Sequence, residues 1–390
     1  MASYISSHAN RFYTAKESSY GEVPEIHSSN RIPAVKLTVR QQLEVKDRKD
    51  KTGSRTFAGL PVGGRRRTNF ELRTFLTTWQ RSAEGPAYGP LFQAALGGTP
   101  LTFSGGSVSS SSADGRLGLG GPHGLKVGQA VACGGEIRFV AAIVDSNMVQ
   151  LNVPFTVIPG AGAVLGAAVT YVPATELPSV SVFDYWSPAT AVQRVLCGAG
   201  VDEMEIAVNG DYHEFHFSGL ARDVLDSSSF SSGAAELTSF PVEPAVDAFD
   251  YSIVPGNMGQ AWMGTSPTQF FTITAAAISV KNELDTRSRE FGSNLPRAIA
   301  PGQRSVTATF DLFSQDDDDT KGLYQAARQQ SPISIMFQLG EAAGQIMGVY
   351  LQSVIPVVPE FDDSKNRLQW RFQASRAQGT IDDEIAVAFA

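Results

Sequence analysis

The stretch Ile278-Ser279-Val280-Lys281-Asn282-Glu283-Leu284-Asp285 matches Leu37-Thr38-Val39-Arg40-Gln41-Gln42-Leu43-Glu44 position by position, 241 residues earlier (278 − 37). In both, apolar and polar residues alternate, the pattern of a strand with one face in a core. Each is followed by a polar loop holding an Arg, a Phe and a Gly, and then by a second alternating run. In the first copy this run is Asn69 to Phe75, after Gly63-Gly64-Arg65-Arg66; in the second it is Thr307 to Phe313, after Pro301-Gly302-Gln303-Arg304. The spacing there is 238 (302 − 64), because the second loop is shorter, a change that loops absorb at little cost. Further on, Phe215 and Phe217 match Trp370 and Phe372 at a spacing of 155 (370 − 215), and each copy ends in acidic residues, Asp223 and Asp226 or Asp382, Asp383 and Glu384. The sequence therefore predicts two like β-rich units in tandem, the drop in spacing marking an insert in the first.

Composition agrees with a mainly β chain. Of 390 residues, 31 are Lys or Arg and 39 Asp or Glu, giving a net charge of −8 that argues against a basic nucleic-acid binder. Only 18% are charged and 42% hydrophobic, so the chain should form packed domains rather than remain disordered. Its 37 Gly and 21 Pro favour short strands and many turns. No run of 18 apolar residues and no signal-like segment occurs, which predicts a soluble chain that stays inside the cell making it, without membrane partners. Cys133 and Cys197 cannot build a disulfide framework or a four-ligand zinc site and read as buried free thiols.

The expected organisation is an N-terminal arm at 1–30, a discontinuous first unit at 31–100 and 182–226, and an inserted small all-β domain at 101–181. A linker at 227–260 and the second unit at 261–390 follow. Within the insert, the Ser- and Gly-dominated run Leu101–Gly121 reads as a linker, and strands are predicted at Ala130–Ala132, Glu136–Val144, Met148–Leu151 and Ala167–Val172. Tyr88 to Leu96 reads as a short helix stopped by Gly97-Gly98, and Asp316 to Asp319 as the acidic cap of a second helix.

Catalytic and cofactor chemistry find no anchor. His213 and His216 fall three apart in a strand pattern, on opposite faces, and no metal site, catalytic residue or cofactor-binding residue is assigned. The Gly-rich run Gly115–Gly124 lacks the Gly-Lys-Ser/Thr ending of a phosphate loop and reads as flexible. Asp316–Asp319 lacks the Gly and Glu of a calcium loop. Arg65-Arg66-Arg67 is split between two faces of a strand, a poor phosphate patch.

Ile278–Arg289, the Gly302-Gln303-Arg304 turn before Val306–Phe313, Ile333–Leu339 with Gly340, Gly348–Leu351, the Pro356–Pro359 bend, Asn366–Ala374 and Ile381–Glu384, in this order and spacing, resemble the tail tube proteins of long-tailed, siphovirus-like bacteriophages. The resemblance covers 261–390 well and, through the repeat, 31–98 and 190–226. It implies β-sandwich or barrel units, each with one short flanking helix, whose inner sheets join neighbouring subunits into rings that stack as a conduit for the genome. Two tandem copies resemble the chains that form homotrimeric, pseudo-sixfold rings. The resemblance further implies a virion tail component assembled in the host cytoplasm, with no enzyme activity. Its partners would be itself, a tape-measure protein and terminator or distal tail proteins, and genomic DNA would be a sequence-independent cargo.

The residues themselves point the same way. Two like units present two different edges, and heterologous contacts close into rings or run on as filaments. Exposed edges are expected at Leu37, Val39 and Leu43 and at Ile278, Val280 and Leu284, and ring closure would remove them. The long polar loops, carrying Arg48, Arg55, Phe57, Arg65 and Arg66 in the first unit and Arg289, Phe291, Asn294 and Arg304 in the second, are expected to contact the neighbouring ring. An acidic total suits a wall past which DNA slides. The insert is expected on the outer wall. A ring-only terminator or hub role is one alternative; host-glycan binding through the insert, with Tyr185 and Trp186 as a stacking platform, is the other.

Overall fold

The computed structural model describes residues 4–390 apart from 45–50, 52, 58, 60–63, 80–84, 209, 246–250, 289 and 365. The first unit opens with β1 (Asn10–Lys16) and the short β2 (Arg31–Ile32), then the long β3 (Ala34–Glu44) and β4 (Arg65–Phe75). In β4 the residues Thr68, Phe70, Leu72 and Thr74 are buried while Asn69, Glu71 and Arg73 are exposed, the alternation read from sequence. Helix α1 (Gly89–Leu96) has Pro90 in its first turn, where no N–H is needed, and ends at Gly97 with φ 99°. Its residues are apolar on every side and nearly all buried, so it is a core helix.

Next come β5 (Leu101–Phe103), β6 (Gly106–Ser111), β7 (Arg116–Leu119), β8 (Ala130–Cys133), β9 (Glu136–Ile143), β10 (Met148–Leu151), β11 (Val164–Gly166) and β12 (Ala168–Tyr171). Strands β6 to β11 close a barrel in the order β10-β7-β6-β11-β8-β9. This corrects the reading of Leu101–Gly121 as a linker and of Gly115–Gly124 as flexible. Ser and Gly take the outward and close-approach positions, while Val108, Leu117 and Leu119 fill the barrel with Val131, Val140 and Leu165; a narrow barrel needs few apolar side chains. At Gly118 a Cβ would lie 2.4 Å from Ser110 Oγ on the neighbouring strand.

The first unit then resumes with β13 (Val180–Trp186), β14 (Arg194–Val208), β15 (His213–Ala221) and β16 (Asp223–Asp226). The second unit holds β17 (Gly259–Gly264), β18 (Thr268–Gln269), β19 (Ile273–Lys281), the small pair β20 (Asp285–Thr286) and β21 (Ile299–Ala300), and β22 (Ser305–Phe313). It continues with α2 (Asp318–Gln329), β23 (Ile333–Leu339), β24 (Met347–Ile355), β25 (Glu360–Asp362), β26 (Gln369–Ala377) and β27 (Ala386–Phe389). Asp317 caps α2, accepting the Thr320 N–H at 2.6 Å, as the acidic run predicts. α2 buries one face, through Leu323, Ala326 and Ala327.

One antiparallel sheet crosses both units in the order β3-β4-β15-β14-β19-β22-β26-β25. Its core side packs against an outer layer made of β1, β13, β16 and the first half of β14 in one unit, and of β17, β23, β24 and β27 in the other. A single apolar core lies between, running from Phe70 and Leu72 through Met204 and Ile278 to Phe310 and Phe372. Within the N-terminal 30 residues, Asn10–Lys16 pairs with β13 along its whole length. Behind it the buried Glu17 carboxylate accepts from Gly21 and Gly198 N–H and from the Ser179 and Ser181 hydroxyls, at 2.5–2.7 Å, satisfying a charge that would otherwise be costly to bury.

Eight elements of the first unit recur in chain order and with similar pairings in the second, while β18, β20 and β21 stand outside this series. β1, β3, β4, α1, β13, β14, β15 and β16 correspond to β17, β19, β22, α2, β23, β24 with β25, β26 and β27. Irregularities fix the correspondence. The β3·β4 ladder slips between Ala34 and Lys36, opposite Thr74 and Arg73, and the β19·β22 ladder slips between Ile273 and Ala275, opposite Leu312 and Asp311. The equivalent of Val39 is thus Ile278, at a spacing of 239 (278 − 39) rather than the 241 read from sequence. A shift of two leaves every residue on the same face, so alternation alone cannot detect it.

Candidate assembly surfaces

The two units meet where β14 pairs with β19, from Glu203 opposite Lys281 to Val208 opposite Ala276. On the core side Ile206 faces Ile278 and Met204 faces Val280, all four fully buried. On the other side Lys281 Nζ lies 3.1 Å from Glu203. Asn282 closes the seam, donating from Nδ2 to the carbonyls of Ala95 (2.9 Å) and Val201 (3.0 Å). Ile278 and Val280 are therefore not edge residues: β14 and β22 pair with β19 from both sides. Leu284 is likewise interior, past the strand end, its N–H held by Asp202 Oδ1 at 2.8 Å. The correction has a simple cause, since a chain with two units covers one of its edges with itself.

The ends of the crossing sheet are different. Among the described residues β3 pairs with β4 alone and β25 with β26 alone. Leu37 and Val39 on β3 are half-buried, and Leu43 is exposed. On β25, Phe361 is 57% exposed although its counterpart Ile206 is fully buried. Arg40 and Lys36 project from the non-core side of β3, and Glu360 and Asp362 from that of β25. That non-core face carries both signs of charge, Arg73 beside Glu71 and Arg371 3.8 Å from Asp311, rather than the acidic wall suggested by net charge.

Arg66, the second residue of β4, and Arg304, just ahead of β22, are both held within the chain. Arg66 lies 3.4 Å from Asp223. Arg304 reaches Asp382 at 3.0 Å, Glu384 at 3.3 Å and the Ala174 carbonyl at 2.7 Å. The acidic residues closing each unit thus serve as clamps. Asn294 is exposed, while its backbone carbonyl accepts the Arg66 N–H at 3.0 Å. Arg65 lies opposite Glu44 on β3. Arg55 and Phe57 are exposed, and Phe291 projects with 102% of its surface free; Arg48 and Arg289 lie outside the described residues.

The insert is seated on the second unit. Arg138, wholly buried, donates to the carbonyls of Ile137 (2.7 Å) and Pro154 (2.9 Å), to Gln260 (3.1 Å) and Gln338 (3.2 Å), and to Glu136. It also lies over the rings of Phe155 and Trp262. Burial depresses its pKa to about 10 despite Glu136. Phe139 stacks on Tyr350, an approach that depends on Gly348, where a Cβ would come within 2.9 Å of Phe139 and Ile137. Sequence reasoning did not single out Arg138, because a lone Arg in a strand pattern reads as solvated. Tyr185 does not form a platform: it is buried, with its hydroxyl donating to the Pro241 carbonyl at 3.2 Å. Cys197 is buried and its pKa is pushed up to about 12, whereas Cys133 is only half-buried, which corrects its reading as interior.

Among the described residues no group of three or more His, Cys, Asp or Glu is placed to hold a metal ion, and no helix is long and apolar enough to cross a membrane. The family model of phage tail tube proteins matches residues 7–389. The chain therefore belongs to the phage tail tube protein family and is a structural component of the virion tail. No curated protein sequence matches it.

Proposed function

We propose that this chain is the repeating, non-enzymatic subunit of the tube of a siphovirus-like tail, and that three copies close a ring by setting β25 of each against β3 of the next. The observation that carries this reading is the β14·β19 seam. Carried onto the equivalent strands, its register places Phe361 opposite Val39, Glu360 opposite Arg40 and Asp362 opposite Thr38. Phe361 is 57% exposed and Val39 half-buried in a single chain, and burying them together contributes at most roughly 1.5–3 kcal/mol each. Glu360 and Arg40 are opposite in charge, a directly opposed pair that favours this register. Each copy then supplies two units, and three copies give a pseudo-sixfold ring of continuous sheet with no free edge.

Rings stack through the loops that carry Arg55, Phe57 and Phe291, and the tube conducts genomic DNA without reading its sequence. A tape-measure protein and terminator or distal tail proteins complete the assembly, which takes place in the host cytoplasm. The insert, seated on the outer layer of the second unit and away from the crossing sheet, lies on the outside of the tube. Two double variants test the ring. Val39→Cys with Phe361→Cys should give covalent dimers and trimers on oxidation, and Arg40→Glu should weaken assembly that Glu360→Arg restores. A chain that stays monomeric at every concentration, with no intermolecular disulfide, would refute the reading.

A further inference from the structure

The segment just ahead of the second unit crosses onto the first. Val254, fully buried, donates its N–H to the Leu76 carbonyl at 3.0 Å, and Thr78 N–H reaches the Ser252 carbonyl at 2.8 Å. Ile253 pairs with Thr77 and Pro255 with Tyr212, and Gly256 N–H donates to the Asp211 carbonyl at 2.9 Å. This strap covers Thr77 and His213, both buried.

Ahead of the first unit lies a segment built in the same way. Ala9 N–H donates to Ser6 O at 3.1 Å, as Met258 does to Pro255 O at 3.1 Å. Ser187 N–H donates to Ala9 O at 2.9 Å, as Gly340 does to Met258 O at 3.1 Å. These bonds align Tyr4–Ala9 with Ile253–Met258, so Ile5 takes the place of Val254. Yet Ile5 is 49% exposed and Tyr4 wholly so, because among the described residues of one chain nothing lies where the strap should land.

The landing site has its own counterpart. Leu76 N–H donates to His213 O at 2.8 Å, and Ser314 N–H to Leu368 O at 2.9 Å, which aligns Leu76–Thr78 with Ser314–Asp316 and Asp211–His213 with Asn366–Leu368. There the surface is open: Gln315 and Asp316 are exposed and Leu368 is 38% exposed. It lies at the β25 end of the crossing sheet, which the β3 end of a second copy would meet.

We infer that Tyr4–Ala9 of one copy straps a second copy of the same chain, running along its Ser314–Asp316 and Asn366–Leu368 as Ile253–Met258 runs along Leu76–Thr78 and Asp211–His213. The strap sets Tyr4 opposite Gln315, and Ile5 is buried where it is now half free. It rests on the ring reading above and adds to that ring a second, independent contact between neighbours.

The test is oxidation of the assembled full-length chain carrying Tyr4→Cys with Gln315→Cys, beside the ring pair Val39→Cys with Phe361→Cys. Ile253→Cys with Thr77→Cys serves as the internal template, and single-cysteine variants control for Cys133 and Cys197. Tyr4 and Gln315 are exposed, so their replacement leaves folding intact. The expected result is loss of the monomer band to covalent dimers and trimers for the 4–315 pair, and a disulfide confined to the monomer for the 253–77 pair. Linkage of copies by the ring pair, with a 4–315 pair that fails to link or closes within one chain, would overturn the strap and leave the ring standing. A monomer in sedimentation with neither pair linked would overturn both.

Discussion

Val39 and Ile278 occupy the same place in two units of one fold, yet Ile278 is fully buried and Val39 half-exposed. The difference lies in what stands next to them: β14 pairs with β19, and among the described residues no strand but β4 pairs with β3. The outer layers differ similarly. In the first unit Tyr13, Phe183 and Tyr185 are covered by the segments around Val23, Ile26 and 234–240. In the second, Met336 and Tyr350 are covered by Ile137 and Phe139 of the inserted barrel. A shared frame thus sets the register of the strands, and the covering elements decide which equivalent residues count for folding and which for assembly.

The strongest way to break the comparison is to remove the cover of the second unit. Arg138→Ala removes a wholly buried cation that bonds the Ile137 and Pro154 carbonyls, Gln260, Gln338 and Glu136, and should cost about 3–5 kcal/mol, read as a fall in the denaturant midpoint. Arg138→Met should cost less. Next, Ile278→Ala should destabilise the isolated chain by about 2–5 kcal/mol, whereas Val39→Ala should change it by less than about 1 kcal/mol and instead weaken self-association in sedimentation. Equal losses at the two sites would sink the distinction between seam and free edge.

His213 sharpens the comparison through pH, because its counterpart Leu368 cannot titrate. Burial lowers the His213 pKa, outweighing the Met258 carbonyl, and Nδ1 has no partner among the described residues. The unfolded chain then binds the proton more readily, so this contribution to stability is present above about pH 6.5 and is lost as pH falls below it. Thermal melts between pH 5 and 8 should show a slope that His213→Leu flattens. The smallest effect belongs to Lys281→Ala, which removes an exposed pair with Glu203 and should cost at most about 1 kcal/mol, less at high salt.

Much of this was legible in the sequence because alternation and turn residues report directly on strands with one dry face. β4, β22, α1 and the Asp317 cap follow from local pattern alone. The barrel strands β6 and β7 did not, since Ser and Gly outside a narrow barrel look like a linker until the partners of Val108 and Leu117 are known. The register of β3 against β19 escaped by two residues, because period-two patterns are unchanged by such a shift and only the slips at Ala34 and Ile273 reveal it. Edge and interior were indistinguishable as well: Ile278 and Val39 sit in the same pattern, and what pairs beside them is a non-local fact. Arg138 stayed hidden for the same reason, its acceptors Gln260 and Gln338 lying far along the chain.

The central claim, that the free β3 and β25 ends close a ring of three chains, is tested most directly by electron microscopy of the purified chain at rising concentration, with symmetry taken from end-on ring averages. The account expects rings or tubes of three copies, each contributing two similar lobes to a sixfold outline. Rings of six whole chains, or particles that remain single at all concentrations, would contradict it.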